Sequence, residues 1–251
     1  MKAYAKINIF LKLSGFIGTF HEIKSRFIRF DGIYDEIEFI KRQSDELILD
    51  DQIPNNIIKK AFLALENAGF KNELDEFFKS HQIKLIKNIP CGAGLGGGSS
   101  DAGAFLRLAI DELNLKISSL NLMKIAASIG SDVPFFASDL QSANVSGVGD
   151  IIEPFDDDIP KLNLILSNLF CSTPVVYAKF DELHEQNLAK FNPVLSRKLL
   201  NLTSKEILAN YKNTELNDLL QACMVAYDKF YILDDEFLSG SGSAKFKPIL
   251  I

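Results

Sequence analysis

The stretch PCGAGLGGGSSD, residues 90–101, decides most of what the sequence predicts. Five of its residues are glycines, at positions 92, 94, 96, 97 and 98, so the backbone of this segment is almost without side chains. Glycine adopts positive φ angles easily and lets an anion approach backbone N–H groups closely. Ser99, Ser100 and Asp101 then predict the start of a helix, whose N-terminus carries about half a positive charge. Loop and helix start together predict a phosphate-binding site.

Three interpretations of this glycine loop compete with a kinase phosphate loop. A Walker-type loop requires a lysine directly after its glycines, and none follows here. Gly92, Gly94 and Gly97 satisfy the dinucleotide pattern GxGxxG, but that pattern also requires an acidic residue at the end of the next strand, about 20 residues on. The nearby Asp111 and Glu112 fall inside a predicted helix instead. A flexible surface turn stays open, although turns rarely need so many glycines beside a strong helix start.

Hydrophobic periodicity predicts a mixture of strands and helices. Alternation over residues 3–13 predicts a strand that carries Lys6, Asn8 and Phe10 on one face, with Lys12 of that face in solvent. Further strands are predicted at 26–29 or a little beyond, 36–40, 82–89 and 162–166. The predicted helices are one capped by Asn55 or Asn56 that runs to Ala68, one that begins after the glycine loop, one at 119–129, one that begins at Thr173-Pro174 with Thr173 as its cap, one behind a capping box at Thr203–Glu206, and a long one near 216–231.

Composition limits the class of protein. The 251 residues are 47% hydrophobic with a net charge of −6, which argues against a nucleic-acid partner, and no apolar run reaches the ~18 residues of a membrane-spanning helix. Three widely spaced cysteines indicate reduced thiols and a cytoplasmic location, and the N-terminus lacks a signal-peptide cleavage site. No zinc motif is present, so no metal ligand is assigned. The acidic, proline-containing stretch 153–160 predicts a boundary between domains 1–152 and 153–251.

Three motifs in order resemble the galactokinase, homoserine kinase, mevalonate kinase and phosphomevalonate kinase (GHMP kinase) superfamily. Pro90 to Ser100 resembles its phosphate loop, YAKINIFL at 4–11 its N-terminal lysine strand, and SGSGS at 239–243 its C-terminal glycine loop. Five segments narrow the resemblance to a branch that phosphorylates a cytidine diphosphate-linked methylerythritol for isoprenoid synthesis. They are AKIN at 5–8, the triple-glycine segment GLGGGSSDA at 94–102, GSDVPFF at 130–136, SGVGDIIEPF at 146–155 and TPVVY at 173–177.

The resemblance implies an α+β fold with a ribosomal-S5-like N-terminal domain and a trimmed ferredoxin-like C-terminal domain. It implies ATP and Mg²⁺ as cofactors and Lys6 and Asp132 as catalytic residues, with Asp132 in a short loop after a helix that ends at Gly130. The ATP-binding residues that it implies are Asn56, Pro90, Gly92, Ala93, Gly94, Leu95, Gly96, Gly97, Gly98, Ser99 and Ser100. The substrate-binding residues that it implies are Asn8, Phe20, His21, Lys87 and Tyr177.

In this assignment Phe20 and Tyr177 stack on the two faces of the cytosine, and His21 contacts the base through its backbone and its ring. Phe20 stands where relatives have tyrosine, but stacking needs the ring face rather than the hydroxyl group. Relatives also continue beyond the position of Ile251, which predicts the trimmed second domain. The expected assembly is a monomer or a homodimer. Rival functions are another kinase of the superfamily, an inactive nucleotide-binding regulator and a dehydrogenase.

Overall fold

The structure is a computed structural model that describes residues 1–49 and 56–249. Its strands are β1 Lys2–Ile17, β2 Phe20–Lys41, β3 Ile48–Leu49, β4 His81–Ile86, β5 Ser142–Ser146, β6 Ile151–Pro154, β7 Leu162–Ile165, β8 Phe237–Leu238 and β9 Lys245–Pro248. Its α-helices are α1 Ile57–Leu65, α2 Lys71–Phe78, α3 Gly97–Glu112, α4 Ser119–Ile129, α5 Val133–Ala137, α6 Thr173–Glu185, α7 Pro193–Leu199, α8 Ser204–Asn210, α9 Asn213–Leu216 and α10 Leu220–Ala226. Helices and mainly antiparallel strands confirm the predicted α+β class. In the described part of the chain, no helix has both the length and the apolar character needed to cross a bilayer.

The chain divides into two compact units that alternate along the sequence. Unit 1 holds Met1–Ala5, the described residues of Asp31–Ile89, and Gly96–Asp139. Unit 2 holds Lys6–Phe30, Pro90–Leu95 and the described residues from Leu140 onward. The long strands β1 and β2 therefore contribute residues to each unit. The predicted domain boundary between residues 152 and 153 stays a prediction.

Unit 1 packs helices against a small sheet. Residues 36–41 of β2 pair antiparallel with β4, and β3 pairs parallel with β4. Ile37 and Ile83 are fully buried and face a core that includes Ile58 of α1 and Phe105 of α3. Because strand side chains alternate between faces, the opposite face of this β2–β4 pair carries the exposed ion pair of Glu38 and Lys84.

Gly103 brings α3 and α5 close together within unit 1. A Cβ atom at Gly103 would lie 2.5 Å from Cβ of Phe136 and 2.8 Å from its carbonyl carbon, so a larger residue would push the helices apart. Asp132 is the N-cap residue of α5. The predicted loop position of Asp132 is confirmed, since residues 130–132 form a short connection between α4 and α5. Pro134 is accommodated in the first turn of α5, where no backbone N–H is required.

Unit 2 contains two antiparallel sheet regions. Residues 25–28 of β2 pair with β5, which pairs with β6. Separately, β9 lies between β7 and β8. Arg26 is fully buried beside β5, where its guanidinium group lies 3.2 Å from Asp157 and 3.4 Å from the ring centroid of Phe155. The buried charge is thereby paired, as a buried charge must be.

Several predicted elements are confirmed with different bounds. The predicted strand at 3–13 lies within β1, and the strands predicted at 82–89 and 162–166 correspond to β4 and β7. The predicted helix at 119–129 is α4, and both hydrogen bonds of the Thr203–Glu206 capping box are present. The strands predicted at 26–29 and 36–40 are one strand, β2, since its exposed middle interrupts the burial pattern without interrupting the extended backbone.

Two helix predictions need correction, whereas the predicted cap at Asn56 is confirmed. Asn56 caps α1 through a 2.9 Å bond from Ile58 N, whereas the alternative cap Asn55 lies outside the described residues. This helix ends at Leu65 rather than Ala68, because a π-helical segment, Glu66–Phe70, follows and Gly69 within it has φ +101°. Helix α6 is capped by Ser172 rather than Thr173.

The prediction of a long helix near 216–231 is wrong. Asn217 has extended backbone angles and separates α9 from α10. Its buried side chain donates hydrogen bonds to the carbonyl groups of Leu238, at 3.1 Å, and Gly240, at 2.9 Å. These bonds outside the helix compensate for the helical hydrogen bonds that are lost at the break.

The prediction that Lys12 is solvated is also wrong. Lys12 is only 3% exposed, and its ammonium group forms an ion pair with Asp218. The second carboxylate oxygen of Asp218 accepts a 2.8 Å bond from Leu13 N. The polar face of β1 is therefore buried in this part of unit 2.

Candidate active site

Lys6 lies in unit 2 on β1, and it is 4% exposed. Its ammonium group donates hydrogen bonds to Oδ1 of Asn8 and, at 3.0 Å, to the carbonyl oxygen of Gly94. Lys6 and Asn8 are two residues apart on a strand, so their side chains leave the same face, as the alternation predicted. Asn8 is held in turn by Ser25, whose hydroxyl group accepts a 2.9 Å bond from Asn8 Nδ2. The predicted catalytic lysine and its predicted neighbour are thus brought together.

The C-terminal glycine loop, residues 239–243, supports Gly94 within unit 2. Ser239 Oγ donates a 3.2 Å bond to the same Gly94 carbonyl and accepts a 3.3 Å bond from Asn8 N. Gly94 has φ +74°, and a Cβ atom there would lie 2.2 Å from the carbonyl oxygen of Ser239. Only glycine fits this approach of two backbone segments, since no side chain has room and the φ angle is left-handed.

In the glycine loop, the backbone carbonyl groups and the backbone N–H groups differ in whether they are hydrogen-bonded. The carbonyl groups of Gly92, Ala93 and Gly94 accept hydrogen bonds from other residues of unit 2. By contrast, within the described residues the backbone N–H groups of residues 92–99 donate no hydrogen bond. The first N–H groups of α3, in residues 97–99, cannot find acceptors inside the helix. These donors are available to an anion.

The first residues of α3 and the cap of α1 lie near each other in unit 1. A Cβ atom at Gly98 would lie 3.5 Å from Cγ2 of Ile57, the residue that follows Asn56. Asn56 is 8% exposed, and its Nδ2 group has no hydrogen-bond partner among the described residues. A buried amide donor without a partner is costly unless a ligand completes it. Ser100, by contrast, is buried and donates a 2.6 Å bond to the carbonyl oxygen of Tyr4.

Lys87 lies in a buried ionic cluster of unit 1. Its ammonium group donates to Oδ2 of Asp101, at 2.5 Å, and to Oδ2 of Asp35. Asp35 also accepts bonds from the backbone N–H groups of Asn88 and Ile89, so it fixes the chain just before Pro90. Burial alone would lower the pKa of Lys87, but Asp101 and Asp35 together raise it. The predicted contact of Lys87 with cytosine stays a prediction.

Of the residues predicted to bind the cytosine, Phe20, His21 and Tyr177 lie in unit 2. The ring centroids of His21 and Tyr177 are 5.0 Å apart, and Nε2 of His21 lies 2.7 Å from Oδ1 of Asp181. Phe20, which precedes His21, is 68% exposed. The structure thus brings His21 and Tyr177 together and leaves the face of the Phe20 ring accessible.

Sequence reasoning missed residues that support these groups. Asn217 and Asp218 were placed inside a long helix, although Asn217 binds the C-terminal glycine loop. The sequence predicts no role for Asp35 or Asp181, and for Asp101 it predicts only a place at the start of a helix. The one available signal was spacing, because Asp181 follows Tyr177 by four residues on α6 and so lies on the same helix face.

Comparison with known proteins agrees with this geometry. Residues 56–139 match the sequence profile described as the GHMP kinases N terminal domain. A protein of Campylobacter jejuni subsp. doylei named 4-diphosphocytidyl-2-C-methyl-D-erythritol kinase is 46% identical, over 98% of this chain and 99% of its own. A protein of the same name from Sulfurimonas denitrificans is 38% identical, over 98% and 95%.

The fold comparison agrees with the sequence comparison. A solved structure of 4-(cytidine 5'-diphospho)-2C-methyl-D-erythritol kinase superposes with a TM-score of 0.74 at 26% identity, covering 99% of this chain and 89% of that one. A mevalonate kinase from L. major, at 14% identity and a TM-score of 0.60, shares the fold alone. The predicted GHMP kinase fold is confirmed. Since the identity to the curated relatives extends over nearly the whole length, the chain belongs to the family of 4-diphosphocytidyl-2-C-methyl-D-erythritol kinases.

Proposed function

We propose that this kinase transfers the γ-phosphate of ATP to the 2-hydroxyl group of 4-diphosphocytidyl-2-C-methyl-D-erythritol, a step of the non-mevalonate isoprenoid pathway. The observation that carries the proposal is the glycine loop, whose N–H groups at residues 92–99 donate no hydrogen bond within the described residues. A row of such donors, continued by the positive end of α3, suits a triphosphate. Asn56 supports the nucleotide assignment, because its buried Nδ2 donor lacks a partner among those residues.

Asp132 is the proposed general base. It accepts the proton of the substrate hydroxyl group as that oxygen attacks the γ-phosphorus and the bond to the β-phosphate oxygen breaks, which releases ADP. Lys6 stabilises the negative charge on the transferred phosphoryl group, and Asn8 and the Gly94 carbonyl fix the position of its ammonium group. General-base catalysis is typically worth about 10²–10⁴-fold.

Mg²⁺ supplies charge neutralisation at the transferring phosphate when it is bound. Within the described residues, no group of three or more His, Cys, Asp or Glu side chains could hold a metal ion. Mg²⁺ is commonly bound through one or two protein ligands together with substrate phosphates and water. We therefore propose that it enters with ATP. The hydroxyl oxygens of Ser99 and Ser100 are hard donors that fit such an ion, although the Ser100 proton is already donated to Tyr4.

At the other end of the substrate, Phe20 and Tyr177 are proposed to stack on the cytosine, with His21 at its edge. The exposed ring of Phe20 supports this role, because a base platform must present its face to solvent before the ligand arrives. Asn8 and Lys87 complete the proposed substrate-binding residues. We further propose a cytoplasmic protein, supported by its reduced thiols, that acts as a monomer or a homodimer.

Substrate selection tests this function. ADP release should be measured with the cytidylylated methylerythritol and, in parallel, with mevalonate, homoserine and galactose, and turnover should require the first. Asp132→Asn should lower kcat by roughly 10²–10⁴-fold while ATP still binds. Activity with another of these alcohols alone would reassign the acceptor. Turnover close to that of the wild type in a folded Asp132→Asn protein would reject the proposed base.

A further inference from the structure

An ion pair in unit 2 holds a histidine among aromatic rings. Nε2 of His21 lies 2.7 Å from Oδ1 of Asp181 on α6. The His21 side chain is 9% exposed, whereas that of Asp181 is 43% exposed. The rings of Phe16 and Tyr177 lie 4.7 Å and 5.0 Å from the imidazole, centroid to centroid. The imidazole is thus fixed in position by packing and in orientation by the carboxylate.

The carboxylate also selects the tautomer of His21. An ionised carboxylate only accepts hydrogen bonds, so Nε2 must carry the proton that it donates to Asp181. In the neutral imidazole, Nδ1 is then an acceptor. No hydrogen bond joins Nδ1 of His21 to another group in the described part of the chain. In this neutral form, the ring has a single remaining polar function, which is to accept a hydrogen bond.

This acceptor distinguishes the two pyrimidines. Cytosine presents a 4-amino group, which is a donor, at the position where uracil presents a 4-oxo group, which is an acceptor. Nδ1 can accept a hydrogen bond from the amino group, whereas against the 4-oxo group it would place two acceptors together. A site built to bind a donor rejects an analogue that lacks it far more strongly than an apolar pocket rejects an extra methylene group.

We infer that Asp181 is a specificity-determining residue that, by fixing the tautomer of His21, makes the kinase prefer cytidine-linked over uridine-linked substrate. The inference rests on the proposed function, since it assumes that the cytidylyl group binds beside His21. Asp181 is a positioning residue, because it acts through its contact with His21. It lies on α6 at the fourth residue after Tyr177, so one helix face presents both the ring and the carboxylate.

The test compares kcat/KM for the cytidine diphosphate-linked and the uridine diphosphate-linked methylerythritol. The wild type should prefer the cytidine compound by about 100-fold or more. Asp181→Ala should reduce that preference by about 10-fold, chiefly through a higher KM for the cytidine compound, because the ring is then free to exchange tautomers. Asp181→Asn should retain part of the preference, since its amide oxygen can still accept the Nε2 proton.

Glu182→Ala is the matched control, because Glu182 is the next residue of α6 and forms an exposed ion pair with Lys179. The Glu182→Ala variant should prefer the cytidine compound over the uridine compound to the same extent as the wild type. An unchanged preference in folded Asp181→Ala, or a wild type that uses both compounds equally, would overturn the inference while leaving the kinase function intact. A wild type inactive with both compounds would instead overturn the proposed function. Thermal unfolding of each variant shows that it is folded.

Discussion

Replacing Lys87 by methionine should destabilise the protein far more than replacing a neighbouring exposed lysine. The ammonium group of Lys87 lies between the carboxylates of Asp35 and Asp101, whose side chains are 0% and 2% exposed. Methionine is of similar length but uncharged, so the substitution removes the charge with little change in packing volume. Asp35 would then stay buried without its counter-charge.

The structure gives the size of the effect. Breaking a buried ion pair by removing one partner typically costs about 3–5 kcal/mol, because the other charge remains desolvated. For a protein of this size that corresponds to a fall of roughly 6–20 °C in the unfolding midpoint. Burial raises the pKa of Asp101, so this carboxyl group can hold a proton instead of a buried charge, and the lower part of the range is expected. Asp35 keeps its bonds from Asn88 N and Ile89 N, which preserve the local chain path.

Thermal and urea unfolding measure this cost, with Lys84→Met as the control. Lys84 lies on β4, and its ion pair with Glu38 is exposed, with side chains 43% and 51% accessible. An exposed pair contributes about 0–1 kcal/mol, so the control should unfold close to the wild type. Lys87→Arg, which keeps the charge, should recover part of the stability.

Equal stability of Lys87→Met and Lys84→Met would refute the reasoning. A second readout separates the structural role from the predicted contact with cytosine. If Lys87 serves only the ionic cluster, the KM for the cytidine compound, measured well below the unfolding transition, should change little. A selective rise of that KM in a stable Lys87→Met protein would favour the cytosine contact.

Three further predictions follow from the same structure. Gly94→Ala should lower kcat/KM at least about 10-fold, because the added Cβ would lie 2.2 Å from Ser239 O. Gly69→Ala is the control, since Gly69 has φ +101° and no atom within 4 Å of an added Cβ. That variant should show only the cost of a left-handed alanine, about 1–2 kcal/mol in stability. Burial raises the pKa of Asp101 from 3.8 to about 8 although Lys87 opposes the shift, so the folded state holds a proton that the unfolded state releases. The contribution of protonated Asp101 to stability should be complete below about pH 4 and lost as the pH rises to about 8. Urea unfolding at several pH values measures this, and Asp101→Asn should make the free energy of unfolding depend less on pH. Asp218→Ala should cost about 3–5 kcal/mol in unfolding free energy, because it leaves the ammonium group of Lys12 buried without its partner, whereas Glu76→Ala at an exposed pair should cost less than about 1 kcal/mol.

The elements that the sequence predicts correctly are those whose structure depends on residues close to one another in the chain. The alternation of β1, the side-chain cap at Asn56 and the capping box at Thr203 each depend on residues close in sequence, and each is confirmed. The glycine loop belongs to this class, because its φ angles and the helix that follows are properties of the segment itself. The resemblance drew on the same short motifs.

Long-range contacts account for the predictions that failed. Lys12 has the pattern of a solvated strand residue, but its buried ammonium group contacts the Glu215 carbonyl and Asp218, the latter 206 residues away along the chain. Likewise, the break at Asn217 depends on carbonyl groups of residues 238 and 240, which periodicity within residues 216–231 cannot reveal. The role inferred for Asp181 lies in a contact with His21, 160 residues apart, and no motif marks it.

The bond between Ser239 and Gly94 has a consequence for synthesis on the ribosome. Lys6 is made long before the hydroxyl group that shares its carbonyl acceptor, which belongs to a residue made 145 positions after Gly94. A nascent chain therefore cannot complete the surroundings of Lys6 until residue 239 has left the ribosome. Much of unit 1 could fold before that point.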